Sequence, residues 1–244
     1  MKKYILLLVL LFTSFNTFAH FMWVESNPVG KVNKKQEVKV FFGEYTYGLQ
    51  EKVAGEAFGK MKNFDVWVIA PDGKKTALTV QPGADFYTGY FTPATNGTYT
   101  IALNNNKIDV VDYTQYNFGI FKTHYHATAK VQVGEAVTNS AAINTDGLTV
   151  VDASKKVSAQ NGETVLTILY KGQLVKETEV TVFIADQWSK KLTTDATGNV
   201  KFTLPWATKY VVEVTKKEEV PGNYNGKDYQ FIYHCATYTL TSGK

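Results

Sequence analysis

Short runs rich in Val, Thr, Phe and Tyr, each closed off by turn residues, follow one another from Glu37 almost to the end of the chain. Side chains that alternate with a period of two face opposite sides of an extended backbone, so such runs form strands, and sustained helical periodicity is nearly absent. The expected strands are 37–43, 63–70, 75–80, 85–92, 97–103 and 124–133, with Pro71-Asp72-Gly73 turning one pair into a hairpin. Around 134–146 the alternation gives way to small polar residues, among them Gly134, Asn139, Ser140 and Asn144, which predicts a linker or a long crossing loop. A second series follows at 147–151, 163–170, 178–185, 199–204, 208–215 and 229–241, with turns at Lys171-Gly172 and Asp195-Ala196-Thr197-Gly198. The pattern predicts an all-β chain of two β-sandwiches in tandem, residues 20–137 and 138–244, the second leaning on the first. Only 44–62 departs from it, and its glycines and charges read as a loop excursion with a short helical turn.

The first 19 residues stand apart from this pattern. Lys2 and Lys3 precede an apolar run from Tyr4 to Phe12, and Thr17-Phe18-Ala19 follows as a small-residue cleavage site. That run is too short to span a membrane, so 1–19 reads as a signal peptide cut before His20, with no cysteine at the cut for lipid attachment. No later stretch is long and apolar enough to cross a bilayer, and a periplasmic or secreted product is expected. About 225 residues remain, enough for two small domains with real cores. A single cysteine excludes an internal disulfide, which leaves stability to packing, supplied by 15 Tyr, 15 Phe and 4 Trp. The net charge of +4 is spread along the chain without a basic footprint, which argues against nucleic acid as a partner.

Chemistry is confined to few side chains. The four histidines are His20, His124, His126 and His234, and the lone Cys235 adjoins the last. A histidine freed at the N-terminus offers an α-amine and Nδ1 to one ion, a chelate suited to Cu(II) or Ni(II). The run Phe21 to Ser26 resembles a first strand that would hold this terminus in place. His124 and His126 share one face of an expected strand with Thr128, Lys130 and Gln132, opposite the apolar Tyr125, Ala127, Ala129, Val131 and Val133. Two exposed imidazoles projecting away from the core are therefore expected there, able to chelate one ion. Neighbours in a strand face opposite ways, so His234 and Cys235 cannot both reach one ion; Cys235 falls in an apolar row and His234 is the weaker ligand candidate. Glu25 and Glu44 could add oxygen ligands or orient an imidazole. Nucleophilic catalysis finds no support, since Gly-x-Ser-x-Gly, His-Glu-x-x-His and a glycine-rich phosphate loop are all absent.

The start His20-Phe21-Met22-Trp23-Val24-Glu25, the strand end Phe42-Gly43-Glu44, the segment from Thr123 to Lys130 and the turn Asp195-Ala196-Thr197-Gly198-Asn199 resemble one known group. It is the bacterial envelope domain-of-unknown-function family 4198, associated with nickel and cobalt uptake. The likeness covers most of the chain after the cut, with His-x-x-Trp-x-Glu as its best marker. It implies a periplasmic β-protein that captures or delivers a divalent metal, and a metal-binding N-terminus at His20. Thr193 to Val214 is similar to transthyretin-like or carboxypeptidase-regulatory modules, which implies a binding or docking role. The expected fold is thus two immunoglobulin-like or transthyretin-like sandwiches. Nickel-transport membrane components of related name carry a histidine at the second position of a membrane-embedded chain, whereas His20 would be first and no membrane segment follows it, which argues against transport by this chain itself.

The leading expectation is a non-enzymatic metal-binding protein with His20, His124 and His126 around one Ni, Co or Cu ion, served by a membrane metal transporter or an outer-membrane receptor. Ligand type does not choose the ion, because Cu(II) binds most tightly to almost any nitrogen site. A copper monooxygenase acting on polysaccharide, built on an N-terminal histidine brace, is the enzymatic alternative. A structural or adhesive envelope module without metal is the third.

Overall fold

The computed structural model describes residues 20–135, 143–152 and 158–243, so the expected signal peptide and most of the expected 134–146 linker lie outside the described residues. The longer strands, in chain order, are β1 (Phe21–Glu25), β2 (Gln36–Glu44), β3 (Asp65–Ile69), β4 (Tyr87–Phe91), β5 (Gly97–Asn105), β6 (Gly119–Val133), β7 (Leu148–Asp152), β8 (Glu163–Tyr170), β9 (Glu179–Ile184), β10 (Trp188–Thr193), β11 (Asn199–Thr203), β12 (Lys209–Glu218) and β13 (Phe231–Thr241). Among the described residues helix is limited to one turn at Glu56–Gly59 and two 3-10 turns, Tyr45–Tyr47 and Thr114–Tyr116, so no helix is long and apolar enough to cross a membrane. The first two of these lie in the 44–62 excursion, as its composition predicts.

Among the described residues three sheets stack as layers, and a fourth is the small hairpin Gly222–Tyr224 with Lys227–Tyr229. One outer sheet runs β1-β2-β4 and ends on Val80–Pro82, with Leu49–Gln50 added to β2. The central sheet has ten strands in the order β10-β9-β12-β13-β6-β5-β3 and Lys75–Ala77, with Val111–Tyr113 and Val29–Gly30 pairing onto β6. The other outer sheet is β7-β8, with Gln173–Leu174 and β11 also on β8. The chain is therefore all-β and built of sandwiches, as expected, but the two halves do more than lean on each other. β6 and β13 pair in parallel through nine residues, from Phe121↔Phe231 to Ala129↔Thr239, which makes one sheet common to both.

Strand alternation places the cores. Met22, Val24, Val38 and Val40 of the first outer sheet pack on Ile101, Leu103, Ala127, Ala129, Val131 and Val133 of the central one. On the opposite face of the central sheet, Ala236, Tyr238 and Leu240 of β13 join Val180, Val182, Tyr210 and Val212 against Leu148, Leu166, Ile168 and Phe202. Both faces of β1 are covered, because Phe21 and Trp23 enter a third cluster with Phe41, Tyr45, Phe183, Val211 and Cys235. Burying four such side chains at roughly 1.5–3 kcal/mol each holds the strand firmly in place behind His20. Its carbonyls are met from the central sheet: the Tyr125 hydroxyl donates to His20 O at 2.8 Å and the Thr237 hydroxyl to Met22 O at 2.9 Å.

Candidate functional site

His20 sits at the head of β1, where its ring tilts against Phe42 at 5.5 Å between centroids. Its Nε2 lies 2.8 Å from Glu51 Oε1 and its Nδ1 3.7 Å from Glu44 Oε2. Gly43 brings these groups together. A Cβ at that position would lie 2.2 Å from Leu49 O, so only glycine lets Leu49–Gln50 close onto the end of β2, and Glu51 follows, its N–H donating to Phe42 O. Glu44 is buried and its Oε2 has no hydrogen-bond partner. Burial raises its carboxyl above the usual range, with His20 pulling the other way. An unpartnered anionic oxygen beside an imidazole, both reached from the N-terminal end of β1, is a donor set that suits a divalent cation.

The other histidines are elsewhere. Tyr125 reaches His20 from one face of β6, and His124 and His126 leave the opposite face, so the three expected ligands do not surround one point. That face is not exposed either, a correction to the sequence reading. The second outer sheet covers it, and His126 keeps 3% of its surface. The His126 Nδ1–H donates to Asn104 Oδ1 and its Nε2 faces the Thr149 hydroxyl at 3.4 Å, so both nitrogens are engaged within the protein. Burial drives its pKa down to about 3. His124 stands in register with His234 across the β6–β13 seam, their rings perpendicular at 5.1 Å, and burial with its charged neighbours lowers it to about 4. Its Nε2 is buried without a hydrogen-bond partner.

His234 Nε2 pairs with Glu218 Oε2 at 2.9 Å, and its ring stands against Tyr170 at 5.3 Å. Burial works upward on Glu218, but hydrogen bonds from Lys171, Tyr170 and His234 prevail and hold it at about 2. Cys235 points to the other face, as strand geometry requires, and its thiol lies 3.6 Å from Glu213 Oε1. Burial pushes that thiol well up and raises Glu213 to about 7, with Glu44 adding to the latter. Glu25 lies at the far end of β1, about 16 Å along the strand from His20. It accepts from Trp23 Nε1 at 2.8 Å and pairs with Lys209 at 2.5 Å, so it ties β1 to β12 instead of joining the His20 group.

Among the described residues no group of three or more His, Cys, Asp or Glu side chains is placed to hold a metal ion. Of the predicted site residues the fold gathers two separate pairs, His20 with Glu44 and His124 with His234. Glu51 and Glu213, both close to the first pair, carry no signal in the sequence, because one follows an irregular loop and the other alternates in a strand like any solvated glutamate.

No curated protein matches the chain. Among solved structures, it is similar to a Salmonella alpha-2-macroglobulin, at 11% identity and a TM-score of 0.32 over 92% of this chain and 15% of that one. It is also similar to Escherichia coli alpha-2-macroglobulin activated by porcine elastase, at 13% identity and 0.29 over 92% and 20%. A DUF4785 family protein from Legionella pneumophila matches at 10% identity and 0.29 over 78% and 52%. The chain thus spans a small part of the alpha-2-macroglobulins it matches. Residues 17–218, which include the start at His20 and the Gly43-Glu44 strand end, match the domain of unknown function DUF4198, and the chain belongs to that family.

Proposed function

We propose that the protein, once cut before His20, is a periplasmic binding protein for a divalent transition metal, Ni, Co or Cu, which it holds at its N-terminus and hands on to a membrane transporter or receptor. The observation that carries this reading is the buried, unpartnered Glu44 Oε2 at 3.7 Å from His20 Nδ1. Cleavage would add the α-amine of His20, the donor that side chains alone do not supply. Glu51, now on Nε2, would orient the imidazole so that Nδ1 faces the ion. His124, His126 and His234 leave the far face of the central sheet and are assigned to its packing. A brace-type oxygenase would need one of them beside His20, so we prefer a binding role to a catalytic one.

The test is calorimetric titration of protein beginning at His20 with Ni(II), Co(II) and Cu(II), beside a form with one extra residue before His20 and beside Glu44→Gln. One-to-one binding is expected, lost by ~100-fold or more with the extra residue and by ~10–100-fold in Glu44→Gln. Binding that ignores the extra residue would rule out the N-terminal chelate.

A further inference from the structure

The loop leading into β6 carries a group of rings that the metal reading leaves unused. Tyr113, Tyr116 and Phe118 are 45%, 66% and 40% exposed. They are fixed in place. The Asp112 carboxylate accepts from the N–H and the hydroxyl of Thr114, the 3-10 turn Thr114–Tyr116 closes with Asn117 N–H on Thr114 O, and Asn117 takes the left-handed conformation at φ 57°. Gly119, at φ 104°, lets Gln230 Oε1 approach and accept the Ile120 N–H at 3.0 Å. The rings rest on an aromatic floor. Phe121 and Phe231 stack at 5.4 Å, Phe118 meets both edge-on at 5.1 and 5.6 Å, and Tyr113 meets Phe121 at 5.5 Å and Tyr116 at 5.4 Å.

Half-exposed rings held rigid on buried ones are organised for contact before any ligand arrives, which removes most of the ordering cost of binding. The chemistry between them narrows the ligand. From Tyr113 to Phe121 no residue is charged, and the exposed Thr114, Gln115 and Asn117 alternate with the rings. Charges stand only at its margin, Asp112 and Lys60 beside Tyr113 and Lys217 over the Phe231 ring, and each is already engaged, with Thr114, Glu56 and Glu219 respectively, so a charged ligand finds no free counter-ion among them. Aromatic rings also mark protein interfaces, but the core of such an interface is a continuous apolar patch, whereas here exposed Thr114, Gln115 and Asn117 stand between the rings. Flat apolar faces flanked by neutral amides and a hydroxyl suit a ligand with C–H faces and hydroxyl edges. We propose that the loop from Tyr113 to Phe118 is a binding face for a neutral polysaccharide chain. The face shares the side of the central sheet that carries His20, since Phe118 touches Tyr233 at 5.5 Å and Tyr233 packs on the Phe21 and Trp23 cluster, but the proposal does not rest on metal binding.

The test is retention of the signal-cleaved protein on cellulose, chitin and insoluble β-1,3-glucan, with chelator present throughout so that the His20 site plays no part. Tyr116→Ala and the double variant Tyr113→Ala/Tyr116→Ala are compared with wild type, their folding checked by circular dichroism. Retention on at least one glycan, reduced ~10-fold or more in the double variant, is the expected result. No retention on any of the three, retention unchanged in a folded double variant, or equal retention on a phenyl resin would each overturn the proposal.

Discussion

His126 and His20 show how far the surroundings of an imidazole decide its use. His126 has both nitrogens occupied by Asn104 and Thr149 inside a sheet interface, whereas the Nδ1 of His20 faces a carboxylate oxygen without another partner. The buried histidines must remain neutral for the fold to persist, and this has a signed consequence. His126 falls from 6.5 to about 3 on folding and His124 to about 4, so the unfolded chain takes up these protons first as pH falls. Their contribution to stability is complete above about pH 6.5 and is lost on the way down to 4 and 3, at ~1.4 kcal/mol per pH unit for each titrating group. Glu213, raised from 4.5 to about 7, and Glu44, also raised by burial, act in the opposite sense, while His234, lowered by burial, adds to the other two histidines, so three groups oppose two. Urea denaturation from pH 7 to 4 should therefore show the midpoint falling with pH, and more gently in His126→Gln; a flat profile would contradict the buried neutral state.

At the scale of elements, the strands that were legible in the sequence are those with one apolar face. β2, β5, β8, β9 and β13 emerge at or near their expected bounds because Val, Ile, Phe and Tyr alternate in them. β10 was not legible. Its Trp-Ser-Lys-Lys-Leu-Thr sequence buries no residue fully, and Lys190 and Lys191 on this edge strand keep other chains from pairing there. The expected strand 75–80 splits, Lys75–Ala77 staying in the central sheet and Val80–Pro82 crossing to the first outer one. Gly43 is where one element depends on another, since it alone admits the Leu49–Gln50 closure. Gly43→Ala should cost about 1–3 kcal/mol of stability by crowding and should also weaken the proposed metal binding as Glu51 moves off His20. Paired denaturation and titration measurements separate the two effects, and full affinity in a destabilised variant would remove Glu51 from the site.

The whole molecule is organised by the parallel β6–β13 seam. β13 also pairs with β12 through ten residues, so the final strand lies inside the sheet that both halves share. Unfolding either half would strip that sheet of a neighbour and expose an apolar face. A single calorimetric transition with equal calorimetric and van't Hoff enthalpies is expected, and two resolved transitions would show that the halves melt independently. Period-two patterning by itself determined the all-β class, the strand ladder, the buried Cys235 and the opposed directions of His234 and Cys235, since these follow from one residue and its neighbours. Whether the polar face of β6 meets water or a second sheet, and whether His20 stands beside His124 or Glu44, depends on which distant strands pair. Those contacts reach beyond any local window, 23 positions for His126 and Thr149 and 110 for the β6–β13 register, and only the tertiary structure decides them, because local alternation names a strand's two faces without naming what covers either.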